Sequence, residues 1–418
     1  MDRDDRMVPA VWIAAFTEAA GRRLWGMTPV ERQVRQLALL DARRFCVWTT
    51  PQLAPRTADL RPDFQRLYSG VEVEFVETAG LEGLAAGLEQ AGEDLLVLEG
   101  AVVYDDRILE HLLECGPGTW VRGDAGTLAL YLDGPRAAVL GRGRSQNLAG
   151  LVQGQAAALD LTFFAPDQVE QYVAELRLTM EPHMLRLPAS GSLRPIERAM
   201  YRRTFKGVID IVASHGYYHP VRWITRHISP TRITPNALTV LSIVGIWAAV
   251  PCFAAGELGW GALAAWMGVL LDSVDGKLAR LRLHLSQAMG DIEHLTAMPG
   301  LGLWFVAWGW YLSGGQLLGG GVAWLTWVLV GAFLIDKGLS GGFKARFGRE
   351  LFDYTRIDAL VHPFAARRNI ALVLFTLGWA SGQPLGALVL LTGWMVVTLG
   401  FHALRWVWIA ARHGRESS

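Results

Sequence analysis

The sequence has little cysteine and no net charge. Only three cysteines occur in 418 residues, and they stand far apart at Cys46, Cys115 and Cys252. An odd, dispersed set forms no zinc pattern and no disulfide framework, which favours a reducing cytoplasmic environment. Lysine plus arginine number 39, as do aspartate plus glutamate, so the formal charge is zero. This balance gives no support to a role in binding nucleic acid.

The start of the sequence lacks the pattern of a secretion signal. Its first residues, MDRDDRMVPAVW, carry acids and only a short apolar run, so we expect no signal peptide. What the chain has in excess is apolar surface, with 51% hydrophobic residues and 17 tryptophans. The excess lies after residue 236 and is larger than soluble enzymes usually carry. We therefore predict a soluble first part and a membrane second part.

The first part alternates strand-like and helix-like segments. We predict strands at 8–16, 44–49, 71–77 and 95–103, and helices at 31–40, 81–91 and 106–114. Such alternation is typical of an α/β, Rossmann-like sheet flanked by helices. We assign residues 1–190 to this cytoplasmic domain.

The second part contains a series of long apolar runs. We predict six transmembrane helices, at 237–255, 258–271, 297–312, 316–335, 369–380 and 385–411, in an all-α domain over 233–418. The second and fifth runs are short, so we expect each helix to continue into a polar cytoplasmic end. Lysine and arginine concentrate in alternate loops, which predicts that both termini lie in the cytoplasm. We expect an integral protein of a bacterial-type inner membrane.

Basic residues precede the first apolar run. They are Arg194, Arg198, Arg202, Arg203, Lys206, Arg222, Arg226 and His227. Residues 191–232 therefore suit an interfacial helix region lying on the cytoplasmic leaflet. A plain basic linker is an equally good interpretation.

The segment 270–299 carries the strongest chemical pattern. Asp272 and Asp275 are three residues apart, so they share one face of a helix, and Gly276, Ala279 and Arg280 continue that face. Two carboxylates beside small residues make a hard-cation site with room for a ligand. Ionisable groups at membrane depth are costly, which favours a functional role over chance acids at a solvated helix end.

This segment closely resembles the signature of the CDP-alcohol phosphotransferase family, D-x2-D-G-x2-A-R-x8-G-x3-D-x3-D. The resemblance implies that Asp272, Asp275 and Glu293 hold Mg²⁺ or Mn²⁺. The distribution of lysine and arginine predicts that this active site lies in the cytoplasm. The resemblance also implies that the fourth acid is the base that activates the acceptor hydroxyl. That position is Ala297 in this chain.

Alanine cannot act as a base, so another group must serve or the domain binds nucleotide without turnover. His294 lies about 60° round the helix from position 297. We hypothesise that His294 or Asp291 substitutes.

The resemblance further implies the reaction and its ligands. A CDP-alcohol donor would transfer its substituted phosphate to an alcohol or lipid acceptor with loss of CMP, among membrane lipids and in a homodimer. Asn236 and Thr239, one helical turn apart, would face the nucleotide together with Gly276, Ala279 and Arg280. For Asn236 the alternative is helix capping alone. A catalytically impaired, nucleotide-binding scaffold is the competing function, and a transporter is disfavoured because the acids stand at span ends.

The run Arg367, Arg368, Asn369 precedes the fifth predicted span. Similar endings occur in bacterial members of the family, and guanidinium groups suit phosphate binding. A positive-inside anchor explains these arginines equally well.

The first domain resembles sugar-phosphate nucleotidyltransferases. The segment 19–24, AAGRRL, is similar to their phosphate-binding glycine-rich loop. Ala101 stands where the family places a metal-binding acid. Asp105 and Asp106 follow at a predicted helix start, where capping is at least as good an interpretation as metal binding. We predict a nucleotidyltransferase-like fold without activity.

Overall fold

The computed structural model describes residues 8–123, 126–173, 176, 178–205 and 207–416. Within these residues the chain forms two compact units. The first contains residues up to Phe205 together with 229–232 and 279–284. The second contains 207–228, 233–278 and 285–416.

The first unit is built from short strands and helices. Its strands are β1 Ala10–Ala15, β2 Arg44–Thr49, β3 Glu72–Glu77, β4 Leu95–Glu99, β5 Val102–Tyr104, β6 Thr119–Arg122, β7 Leu128–Leu132, β8 Thr162–Phe164, β9 Tyr172–Val173, β10 Leu178–Thr179 and β11 Met184–Arg186. Its helices are α1 Pro29–Ala38, α2 Ala54–Thr57, α3 Phe64–Leu67, α4 Leu81–Gln90, α5 Asp106–Cys115, α6 Gly134–Gly141, α7 Leu148–Leu159 and α8 Arg194–Arg202. The predicted α/β architecture is confirmed.

Among the described residues, seven strands form one mixed sheet in the order β3-β2-β1-β4-β7-β6-β8. Strands β1 to β4 run parallel, and β7 joins β4 antiparallel. Side chains alternate between the two faces of the sheet. Val11 and Ile13 pack on the α1 side, whereas Ala10 and Trp48 pack on the α4 side. Two apolar layers therefore stabilise the sheet.

The predicted single strand at 95–103 was wrong. The chain breaks after Glu99, so that β4 stays in the main sheet while β5 pairs antiparallel with β11. Gly100 makes this break possible, because a Cβ at that position would lie 2.9 Å from the Cβ of Ala15.

A buried ion-pair cluster lies at α1. The side chains of Glu31 and Arg35 are fully buried, and Arg35 Nη2 donates to Glu31 Oε1 at 2.7 Å and to Asp63 Oδ1 at 3.1 Å. Burial raises the pKa of Glu31, and the neighbouring Arg35 opposes that rise. Hydrogen bonds from His284 and Arg35 hold the pKa of Asp63 well below its usual range. Each charged side chain of the cluster compensates another buried charge, so the loss of any one of them should destabilise the fold.

Replacing Arg35 with Met is expected to destabilise this unit by about 3–5 kcal/mol, because Glu31 would remain buried without its guanidinium. The loss of unfolding free energy is measured by urea denaturation of the full chain, with unfolding of the first unit detected by limited proteolysis. The double variant Glu31→Leu with Arg35→Met should recover part of it. Arg43→Met is the matched control, because Arg43 pairs with Asp41 on the surface and should cost at most about 1 kcal/mol. If Arg35→Met left the urea midpoint of unfolding unchanged, the ion-pair cluster could not be stabilising the first unit as described.

The second unit is helical. Its helices are α9 Tyr218–Ile228, α10 Pro235–Ala254, α11 Leu258–Arg282, α12 Gln287–Leu312, α13 Val322–Phe347, α14 Arg356–Val361, α15 Arg368–Ala380 and α16 Pro384–Glu416, and the last four residues of α11 count with the first unit. Aromatic side chains fill its core, with Trp308 stacked on Phe375 at 4.1 Å between ring centroids. One apolar cluster therefore links α12 to α15.

Three helices of the described chain are long and apolar enough to span a membrane. They are α10, α13 and the part of α16 from Pro384 to Arg412. The chain is a membrane protein, as predicted. Each of the six predicted runs lies mostly within one helix, and α11 continues into a polar end as expected.

Two details of the predicted spans were wrong. The fourth helix begins at Val322 rather than at 316, since Gly319, Gly320 and Gly321 precede it and do not favour helix. The fifth helix starts at Arg368 and has no polar extension, because Arg367 is extended and serves as its N-cap.

Candidate functional site

The paired aspartates lie on α11, near the end of its part in the second unit. Asp275 is almost fully buried at 3% exposure, and the Asp272 side chain is 13% exposed. Their spacing places both carboxylates on one helical face, as predicted. Gly276, one residue on, has no side chain, which leaves the backbone beside the acids open to a ligand.

The same helix carries the remaining residues of the pattern. Ala279 and Arg280 are half-buried, one turn beyond Asp275 and Gly276. The helix ends where Leu283 takes a left-handed conformation with φ of 53°. The N–H of His284 then bonds to the carbonyl of Ala279 at 2.9 Å, which closes the last turn. The order of acids, small residues and arginine is therefore set by one continuous helix.

Arg368 is the charge partner of Asp272. Its Nη2 donates to Asp272 Oδ2, and both side chains are mostly buried. Arg367 has a different neighbourhood, since its Nη1 contacts His362 Nε2 at 2.5 Å and its guanidinium lies over the Phe352 ring. The two adjacent arginines thus differ in role, and Arg368 is the one that belongs to the site.

A buried polar network adjoins the aspartates. Asn369 Nδ2 donates to Asp210 Oδ2 at 2.7 Å and to the Tyr217 hydroxyl at 2.9 Å. Ser273, next to Asp272 in sequence, donates to the same hydroxyl at 3.3 Å. Burial raises the pKa of Tyr217 to about 12, so this hydroxyl keeps its proton at neutral pH. The network holds the start of α15 against α11.

Sequence reasoning missed Asp210 and Tyr217. Both lie in the segment 191–232, which was interpreted through its basic residues. The overlooked signal was an acid next to apolar residues in that basic segment, GVIDIV. Asp210 is buried and also accepts from the Ala213 N–H at 2.9 Å.

At the start of α10, the structure shows which residue caps the helix. Thr234 is the N-cap, and its hydroxyl accepts from the Ala237 N–H at 3.2 Å. The capping alternative for Asn236 was therefore wrong, and this half-buried amide stays available for another partner. Thr239 is buried, and its hydroxyl donates to the Pro235 carbonyl at 3.2 Å.

The remaining candidates lie on α12. Ala297 is half-buried against the apolar core, and Asp291 is exposed near the start of the helix. The side chains of Glu293 and His294 lie outside the described residues. Their metal and catalytic roles stay predictions.

A divalent ion fits the donors that are described. Asp272 and Asp275 supply carboxylate oxygens, the ligands that Mg²⁺ and Mn²⁺ prefer. Within the described side chains no group of three or more His, Cys, Asp or Glu comes together, so a third protein ligand must come from Glu293 or from elsewhere. The metal role of this pair therefore stays a prediction.

In the first unit, the predicted phosphate loop makes hydrogen bonds to other parts of the same unit. Residues Glu18–Gly21 form a 3₁₀ turn, and Arg22 donates to the carbonyls of Pro188 at 2.7 Å and Gly191 at 2.5 Å. Such contacts leave the Arg22 guanidinium occupied by backbone.

The acids of that unit are also engaged by protein groups. Asp105 caps α5 and accepts from Arg107 Nε at 2.8 Å and His183 Nδ1 at 2.9 Å. Burial alone would raise the pKa of Asp105, but these two partners outweigh it and lower the pKa. Asp106 accepts from Gln36. The capping interpretation of Asp105 is the one that the geometry supports.

Comparison with known proteins identifies part of the chain. Residues 232–339 match the family described as CDP-alcohol phosphatidyltransferase, which confirms the predicted resemblance for that region. No curated protein matches the chain.

Solved structures similar to the chain include two of phosphatidylinositol phosphate synthase PgsA1 from Mycobacterium tuberculosis. The form with CDP-DAG bound is 19% identical, with 44% of this chain and 92% of that chain covered and a TM-score of 0.34. The form with manganese and citrate is 18% identical, with 44% and 88% covered and a TM-score of 0.34. A protein from Bacillus anthracis described as a glucose-1-phosphate thymidylyltransferase, in complex with sucrose, is 10% identical, with 46% and 94% covered and a TM-score of 0.32.

Proposed function

We propose, on the premise that residues 232–339 form a CDP-alcohol phosphatidyltransferase domain, that the protein transfers a substituted phosphate group from a CDP-alcohol to an acceptor alcohol. CMP is the leaving group, and the product belongs to phospholipid or polar-lipid synthesis. The observation that carries the proposal is the buried pair Asp272 and Asp275 on the helix that bears the family pattern. Carboxylate oxygens are the ligands that Mg²⁺ and Mn²⁺ prefer, and phosphoryl transfer needs such an ion to neutralise the charge of the pyrophosphate.

The proposed reaction has three chemical events, and residues of the chain assist each of them. The acceptor oxygen attacks the phosphorus that carries the alcohol, the bond from that phosphorus to the CMP oxygen breaks, and the acceptor proton passes to a base. A bound Mg²⁺ or Mn²⁺ would neutralise pyrophosphate charge, and Asp272, Asp275 and Glu293 would hold it. Gly276 and Ala279 leave room for the cytidine and phosphates, and Arg280 pairs with phosphate.

The nucleotide end of the donor is assigned to the start of α10. Asn236 is half-buried and is not used as the helix cap, so its amide can hydrogen bond to cytidine. Thr239, one turn on, faces the same way in the family pattern. His294 or Asp291 is proposed as the base in place of Ala297.

The setting of the domain follows from the charge pattern. We propose six spans, with the active site and both termini in the cytoplasm and with membrane lipids around the helices. The three shorter or more polar helices α11, α12 and α15 would complete the set begun by α10, α13 and α16. A homodimer is carried over from the family. Residues 1–190 are proposed to keep a nucleotidyltransferase-like fold without that activity, since Asp105 is engaged in capping and ion pairs.

The second candidate function is a nucleotide-binding membrane scaffold. Its support is Ala297, which offers no carboxylate where the family pattern places the base. Such a scaffold would bind CDP-alcohol and release no CMP.

Metal-dependent CMP release distinguishes the two functions. The purified full chain in detergent is incubated with pools of CDP-alcohols and acceptor alcohols, with Mg²⁺, Mn²⁺ or EDTA, and CMP is measured by chromatography. An enzyme should release CMP only when donor, acceptor and metal are all present. Measurable CDP-alcohol binding with no release from any pool would support the scaffold.

A further inference from the structure

The first unit has an open sheet face on the side of α4. A cavity of about 510 Å³ lies over β1, β2 and β3, and its lining includes the first residues of these strands, Ala10, Arg44 and Glu72. The register sets Trp12 beside Cys46 and Cys46 beside Glu74, with Arg44 beside Glu72 in the next row. In α/β sheets nucleotides bind outside the carboxyl ends of the strands, so this cavity is distinct from the predicted nucleotide loop.

Two indole rings form the floor of the cavity. Trp12 and Trp48 have ring centroids 4.8 Å apart and an angle of 44° between their planes. Gly87 of α4 packs directly on them, since a Cβ there would lie 2.4 Å from Trp48 and 3.2 Å from Trp12. The rings are therefore fixed in place. The Nε1 of Trp48 is buried and has no acceptor among the described residues.

Carboxylates surround this floor. Glu72, Glu74 and Glu93 line the cavity with a single guanidinium, Arg44, which is bonded to Glu93. Glu72 and Glu74 point to the same face of the edge strand and form no ion pair within the described chain. An anion would be repelled here, whereas a cation is attracted to both the carboxylates and the ring faces.

The chemistry of the lining also limits the kind of cation. The described acids, histidines and cysteines form no metal-binding group, so the carboxylates do not converge on one ion. Cys46 stays a neutral thiol at neutral pH, because burial and the charge of Glu74 raise its pKa to about 12. It therefore adds an apolar wall and no metal-binding thiolate. Aromatic faces with apolar walls suit an organic cation better than a hydrated metal ion.

We infer that this cavity binds a small alkylammonium compound, with its methyl or methylene groups on Trp12 and Trp48 and its charge towards Glu72 and Glu74. A hydroxyl on the same molecule would accept from the Trp48 Nε1. The site is independent of the proposed transferase reaction.

Choline is the probe, and 3,3-dimethyl-1-butanol is its neutral isostere with the same hydroxyl. Titration calorimetry uses the full chain in a non-ionic detergent at physiological salt. Choline should bind saturably and about tenfold more tightly than the neutral isostere, the gain expected from cation–π contact and charge. Equal binding of both compounds, or no saturable choline binding, would overturn the inference.

Variants test whether binding occurs in this cavity. Trp12→Leu should weaken choline binding about tenfold and Glu74→Gln about threefold, because the first removes a ring face and the second an exposed charge. Glu77→Gln is the matched control, since Glu77 ends the same strand and does not line the cavity. Glu74 is exposed, so its variant should fold even if Trp12→Leu does not. Identical affinity in Glu74→Gln and Glu77→Gln would rule out this cavity.

Discussion

Asp275→Asn is expected to lower metal-dependent CMP release by about three orders of magnitude, since charge neutralisation by a bound ion is worth several kcal/mol. Asparagine has the same size as aspartate but lacks the charge that holds the cation. Asp275 is buried, so removing its charge also removes a desolvation cost, and the variant should express and melt like the wild type. The measurement is CMP release against Mg²⁺ or Mn²⁺ concentration, with the melting temperature recorded in parallel.

Glu257→Gln is the matched control for Asp275→Asn. Glu257 is an exposed acid directly before α11, and it lies at the opposite end of the helix from the paired aspartates. Its variant should keep full activity. If Asp275→Asn released CMP at the wild-type rate, the paired aspartates could not be the metal site. If neither protein released CMP, although both bound CDP-alcohol, the scaffold would be favoured.

Ala297→Asp is expected to raise CMP release by about 10²–10⁴-fold, the usual contribution of a positioned general base. The substitution supplies a carboxylate at the position where the family pattern has its base. Ala297 is half-buried, so the new side chain has partial access to the site. Initial rates at saturating donor and acceptor, measured over a range of pH, give the size of the gain.

Ser286→Asp controls for adding an acid to the same helix. Ser286 is the N-cap of α12, where its side chain accepts from the Met289 N–H, and aspartate caps equally well. This variant should leave CMP release unchanged. A wild-type rate in Ala297→Asp would mean that the base acts from another position. In that case His294→Ala and Asp291→Asn should each be measured, and the one that loses activity identifies the base.

Local patterns in the sequence predicted the elements well. The strand Arg44–Thr49 has the predicted bounds, and helix α11 continues past its apolar run as expected. Both follow from neighbouring residues, because the side-chain period and local hydrophobicity act within one element. The break at Gly100 was missed, since it depends on how closely the chain approaches Ala15.

In the candidate site, too, local spacing was predictable and contacts between distant residues were not. The spacing of Asp272 and Asp275 was sufficient to place them on one helical face. Their surroundings were not predictable, because Arg368 is 96 residues from Asp272 and Asn369 is 159 residues from Asp210. The sequence left phosphate binding and a positive-inside anchor open for Arg368, and the structure shows an ion pair with Asp272 that neither alternative predicted.

The order of residues was therefore enough to predict the α/β and helical regions, the membrane character and the spacing of the acids that are proposed to carry the chemistry. These properties depend on the order of residues within single elements and on the cost of exposing apolar surface to water. Which polar groups meet could be seen only in the folded chain, where Arg368 pairs with Asp272, Asn369 with Tyr217, and Arg35 with both Glu31 and Asp63. Buried charges must find partners, and the partners available to them depend on how distant segments pack.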